Sequence, residues 1–151
     1  MVFLRDCALI GVLIGLGARL AFGQTMPDPA LTPGIVASTD VHEVCAYVGG
    51  LSYTVRHRLD RDTRAALKVH TLAKYGLGRN VTKLYEDDDR GPVCLGFDNA
   101  DPRNHWPQPW PEARLKDHLE WRVCRDVCAG RMTLQDGQAI FLGDWRERLQ
   151  N

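Results

Sequence analysis

Residues 85–96 read YEDDDRGPVCLG, three consecutive aspartates followed by Arg-Gly-Pro and a return to apolar residues. This stretch admits three readings: a solvated hairpin tip, a metal site, or a catalytic motif that has lost a residue. β-prone residues on both sides, VTKLY before and VCLGF after, predict a short hairpin over 81–97 with the acidic residues at its turn.

Working outward, DRDTRAALKVHTLAKYGLG (60–78) predicts a helix. Aspartates stand at its start, Leu67, Thr71, Leu72 and Tyr75 form one apolar side, and Gly76 sits where a terminating glycine belongs. STDVHEVCA before it predicts a short helix carrying Cys45, with Asp40 and Glu43 at capping-box spacing. YVGGLSYTVRHR reads as irregular, turning at Gly49-Gly50. Beyond the acidic stretch, DNADPRNHWPQPWP (98–111) holds four prolines and is expected to be irregular. A helix then runs from about Glu112 to Ala129, with Leu115, Leu119, Val123 and Val127 expected to face the core and Gly130 to stop it. A last helix starts at the cap pair Thr133 and Asp136.

The 151-residue chain begins with Arg5, an apolar run over 7–16 and the small residues Ala21 and Gly23, the pattern of a signal peptide cut ahead of Gln24. Arg19 interrupts the run too early for the roughly 20 apolar residues of a membrane span. Without residues 1–23, 128 remain, enough for one domain, and the 19 basic and 19 acidic residues of the chain become 17 and 18. No overall field steers such a chain toward a polyanion. Prolines in 24–38 read as an extended leader. The expected location is exported, periplasmic or secreted, with no stable membrane association after cleavage.

Four cysteines remain, Cys45, Cys94, Cys124 and Cys128. An even count in an oxidising compartment favours two disulfides over a zinc site, which would want a CxxC knuckle or histidines at ligand spacing. Sequence does not choose among the three pairings. Cys45–Cys128 with Cys94–Cys124 is a guess, in which the second bridge ties the segment after the acidic run to the following helix.

Several pieces together resemble a group of small bacterial and phage HNH-endonuclease-like proteins. The group carries approximately Y-E-x-D-H-x-x-P-L-x-L-G-G, D-P-x-N-L-W-P-Q-P, K-D-x-L-E, V-C-x-G and a terminal D-W. This chain has YEDDDRGPVCLG, then DPRNHWPQP (101–109), KDHLE (116–120), VCAG (127–130) and Asp144-Trp145, in register. The resemblance covers roughly residues 31–146. It implies a ββα-metal core in which one divalent cation lies between a hairpin and a helix. An aspartate ligates the ion, a histidine beside it acts as base toward water, and a later asparagine braces the loop.

On that resemblance Asp88 falls at the ligand, Asn104 at the brace, and Asp89 where the histidine should be. Phe97 replaces the second glycine, and His105 replaces the leucine after the asparagine. An aspartate at 89 is expected to stay ionised, with an ordinary carboxylate pKa near 4, and to serve poorly as a base at neutral pH. His118, on the helix expected to face the metal, and His105, beside Asn104, are the candidate substitutes, each with the plainer reading of an ordinary surface or loop histidine. Trp106 and Trp110 are expected to be buried loop anchors before base-stacking platforms. The basic run Arg56, His57, Arg58, Arg61, Arg64 would contact phosphate, or simply be a solvated helix start with Asp60 and Asp62. No phosphate-binding glycine loop, nucleophile elbow or HExxH is present.

The expected architecture is therefore a small disulfide-stabilised α+β domain over 39–151, helical with a β-hairpin and an HNH-like core. The expected function is an exported module with a degenerate centre, binding DNA or another nucleic acid, or a partner protein, with little or no nuclease activity. Its rivals are an active endonuclease using Asp88 with His118 or His105 and Mg²⁺, Mn²⁺ or Zn²⁺, and a structural envelope protein.

Overall fold

The acidic run is itself a strand. In the computed structural model, which describes residues 26–149, β1 (Tyr85–Asp89) pairs antiparallel with β2 (His105–Pro109), placing Asp87 opposite Pro107, Asp88 opposite Trp106 and Asp89 opposite His105. The expected hairpin over 81–97 is thus corrected: the partner strand is the proline-rich segment read as irregular. The signal-peptide reading falls on residues outside those described.

Prolines lack the N–H that a ladder needs, so they survive in a strand only where that N–H would face away from the partner. Arg90 donates its backbone N–H to Asn104 O at 2.5 Å, and Trp110 donates to Leu84 O at 3.5 Å. These flanking bonds put the ladder on even-numbered residues of β2, and Pro107 and Pro109 fall on the odd ones. The connection between the strands is wide and shaped by two 3₁₀ turns, Val93–Leu95 and Pro102–Asn104. Gly96 ends the first at φ 82°, and a Cβ there would lie 2.4 Å from the Ser38 carbonyl oxygen.

Helices surround this pair. α1 (Val41–Cys45) and α2 (Tyr53–Arg56) are short, and α3 (Arg61–Lys74) is capped by Asp60, which accepts from the N–H groups of Asp62 and Thr63. α4 (Trp110–Cys128) follows β2 directly, and α5 (Leu134–Leu142) starts at Thr133, whose hydroxyl oxygen accepts from Asp136 N and donates to its carboxylate. The capping box expected on α1 does not close. Asp40 accepts from His42 N, while Glu43 accepts from the Ser38 hydroxyl.

Val44, Leu95, Phe97, Leu119, Val123, Val127, Phe141 and Trp145 form the core. The inward stripe of α4 is Ala113, Lys116, Leu119, Val123 and Val127. Leu115, expected inside, is half exposed because a strict four-residue repeat drifts about 40° round the helix at each step, so the inward stripe continues from Leu119 through Lys116 and Ala113 instead. Two disulfides, Cys45–Cys128 and Cys94–Cys124, tie α1 and the interstrand connection to α4. Closing such loops stabilises by about 4 kcal/mol each in the chain-entropy account. The fold is α+β and disulfide-stabilised, and β1, β2 and α4 follow one another as strand, strand, helix. Residues 26–38, read as a leader ahead of the domain, belong to it: Thr32 is fully buried, and Ala37 and Ser38 donate to Gly96 O.

Candidate functional site

A strand alternates its side chains, so the acidic run divides between two faces. Asp88 faces α4, and Asp87 and Asp89 share the other side with His105.

On the α4 side, the ammonium of Lys116 donates to Asp88 Oδ2 at 3.1 Å and to Glu120, and stands 5.8 Å from the centre of the Phe141 ring. The Lys116 side chain is 1 % exposed. Burial works against its charge, but Asp88, Glu120 and Asp89 overcome that and hold its pKa above the ordinary lysine value. The carboxyls shift the other way. Burial pushes Glu120 up to about 8, with Lys116 opposing. Burial likewise raises Asp88 against the same opposition, and raises Glu86 to about 7.

On the other side, His105 Nε2 lies 3.4 Å from Asp89 Oδ1 and 3.0 Å from the Asn99 carbonyl oxygen, and Nδ1 lies 3.5 Å from Asp87 Oδ2. These groups line a cleft of about 280 Å³ whose rim includes Arg64, Lys68 and Trp110. Lys68 donates to Tyr85 O at 2.8 Å and sits over the Trp110 ring. Asp89 was expected to stay ionised at an ordinary carboxylate pKa. Burial, with Asp88 adding to it, pushes its pKa well above that value.

Asn104 is fully buried and holds the connection. Its Oδ1 accepts from Gly91 N at 3.1 Å, and its Nδ2 donates to Gly91 O, Asp98 O and Asp89 Oδ1 at 3.0, 3.2 and 3.3 Å.

The expected constellation is therefore only partly assembled. Asp88, Asp89, Asn104 and His105 meet on the strand pair. His118 does not join them: it is exposed, two residues and so about 200° round the helix from inward-facing Lys116. Lys116 and Glu120 were missed as site residues, although a lysine three residues before Leu119 in the apolar stripe of α4 was a readable signal. Trp106 is a buried anchor, as expected, whereas Trp110 is partly exposed. Arg56 is spent on the carbonyls of Ala46, Leu51 and Glu43.

The residues present do not fit the implied divalent ion. The ligand carboxylate of Asp88 is engaged by an internal ammonium, the second expected ligand, His118, points elsewhere, and among the described residues no group of three or more His, Cys, Asp or Glu side chains is arranged to hold a metal. A larger groove of about 500 Å³, lined by Tyr47, Tyr53, Trp121 and both disulfides, contains no carboxylate or imidazole. Compared with family models, curated proteins and solved structures, the chain matches none.

Proposed function

We propose that this chain is an exported HNH-like domain with a degenerate centre, which binds nucleic acid and has little or no nuclease activity. The observation that carries the reading is the buried Lys116–Asp88 ion pair, which leaves the would-be ligand already neutralised. Asp89 in the place of the base and His118 on the outer face of α4 add to it. A nuclease of this class would need an ion to offset charge developing on the phosphate and an imidazole to activate water. Neither position is furnished. For binding, Arg64, Lys68 and the partly exposed Trp110 at the cleft rim supply cationic and stacking groups of the type that single strands use. Two disulfides suit an oxidising compartment, which supports export.

Purified, oxidised protein is tested for plasmid nicking with Mg²⁺, Mn²⁺ or Zn²⁺ against an Asp88→Ala control, and for an electrophoretic shift of single-stranded DNA at low salt. The expected result is a salt-sensitive shift without cleavage. Metal-dependent nicking lost in Asp88→Ala overturns the degenerate centre, and no shift at low salt turns the binding function toward a protein partner.

One observation favours an active enzyme as the second reading. His105 stands directly across the ladder from Asp89, so an imidazole is present one strand away from its expected place. On this reading nicking occurs and is abolished by His105→Ala.

A further inference from the structure

The misfit between the centre and a divalent ion has a structural cause. We infer that this centre carries its own cation: the ammonium of Lys116 takes the place between strand and helix where a divalent ion would sit, and Asp88 and Glu120 become a hard-cation site only when that ammonium is removed. The inference deepens the reading of this centre as degenerate and rests on it.

The ammonium is built in rather than incidental. It comes from the middle of α4, lies between that helix and β1, and is received by two carboxylates and an aromatic face. Asp88 reaches it from the strand and Glu120 from one helical turn further along. Further oxygen-bearing side chains lie on the same face of the strand pair, and the charges of Asp88 and Lys116 act on one of them, Glu86. Gln108 is fully buried, pairs across the ladder with Glu86, and therefore shares the Asp88 face of the sheet. Neither its amide oxygen nor its amide nitrogen has a hydrogen-bond partner, and Glu86 Oε2 is also buried and unpartnered. Lysine carries one positive charge on a compact head that makes three donor contacts. It offsets the charge of Asp88 and donates to Glu120 without the six or more oxygen ligands that Mg²⁺ or Ca²⁺ demands. Removing the side chain would leave the carboxyl groups of Asp88 and Glu120 around the vacated volume, with Glu86 and Gln108 on the same face of the strand pair, oxygen groups of the type that Mg²⁺ or Mn²⁺ takes.

The experiment measures Mn²⁺ binding by calorimetry and by the loss of free-ion electron paramagnetic resonance signal. It uses the whole oxidised protein, its Lys116→Met and Lys116→Arg variants, and Lys116→Met combined with Asp88→Asn. The unaltered protein and Lys116→Arg are expected to take up no Mn²⁺ at about 1 mM. Lys116→Met is expected to gain one saturable site per chain, lost again in the double variant. Asp88-dependent binding by the unaltered protein overturns the inference, as does a folded Lys116→Met that binds no Mn²⁺. Should Lys116→Met fail to fold in chelator, refolding with Mn²⁺ followed by near-ultraviolet circular dichroism decides. Recovery of the native spectrum supports the inference and continued unfolding overturns it. The DNA shift, repeated in chelator, is read separately, so failure of the binding function leaves this result standing.

Discussion

Lys116 Nζ stands 3.1 Å from Asp88 Oδ2 in a part of the molecule that excludes water, with the lysine side chain 1 % exposed. Neither member of a pair so placed can be lost alone without cost. Removing one partner of a buried pair typically costs about 3–5 kcal/mol, since the other charge is stranded. Lys116→Met should lower stability by that amount in urea unfolding, and adding Asp88→Asn should recover part of it. Two independent losses that simply sum would show that the residues do not act as a pair.

Asn104 satisfies both backbone groups of Gly91 and the carbonyl of Asp98. Asn104→Ala leaves three backbone partners unmet, two of them buried, and the expected loss is about 2–4 kcal/mol. Amide exchange at Gly91 should accelerate more than at core positions of α4. Uniform acceleration would assign the cost to global unfolding alone.

Asp89→His returns an imidazole to the strand but leaves Lys116 in place. Metal-dependent plasmid nicking is expected to remain at background in this variant. Cleavage gained by Asp89→His alone would show a competent centre and count against a resident ammonium.

Buried carboxyls set the pH dependence. Glu120 is raised from 4.5 to about 8 and Glu86 from 4.5 to about 7, burial being the main cause of each. The folded state therefore keeps protons that the unfolded chain releases above about pH 4.5. This stabilisation is complete below that pH and is lost as pH rises through 7 to 8. The unfolding free energy, and with it the denaturant midpoint, should fall between pH 5 and pH 8.5, the free energy by up to about 1.4 kcal/mol per pH unit for Glu120 and less for half-buried Glu86, where solvent screens the effect. Glu120→Gln should flatten the profile. A midpoint that climbs over this range contradicts the assignment.

The bridges Cys45–Cys128 and Cys94–Cys124 predict no free thiol among these four cysteines in oxidised protein. Peptide mapping should recover these two linked pairs, and Cys94→Ser with Cys124→Ser should cost about 2–4 kcal/mol. Four free thiols in protein made in an oxidising compartment would remove the bridges from the account.

Much of the local structure was legible. Asp60 and Gly76 bound α3, Thr133 starts α5, and the spacing of Leu119, Val123 and Val127 marks α4. The strand partner was not legible. Three aspartates read as a turn because carboxylates resist burial, and HWPQP read as a loop because prolines cannot donate. Each objection fails for a reason that lies elsewhere in the chain: a lysine meets Asp88, and the prolines take alternate positions whose N–H groups would face away from the ladder.

YEDDDRGPVCLG, with the segments that follow it, was enough by itself to mark an acid-rich stretch and the later asparagine as residues to examine, because identity and order are local properties. Which carboxylate meets which cation was decided only by the tertiary structure. Helix phase turned Lys116 inward and His118 outward, and the ladder register set His105 against Asp89. Both depend on how separate elements pack to bury apolar surface, a quantity no single segment contains.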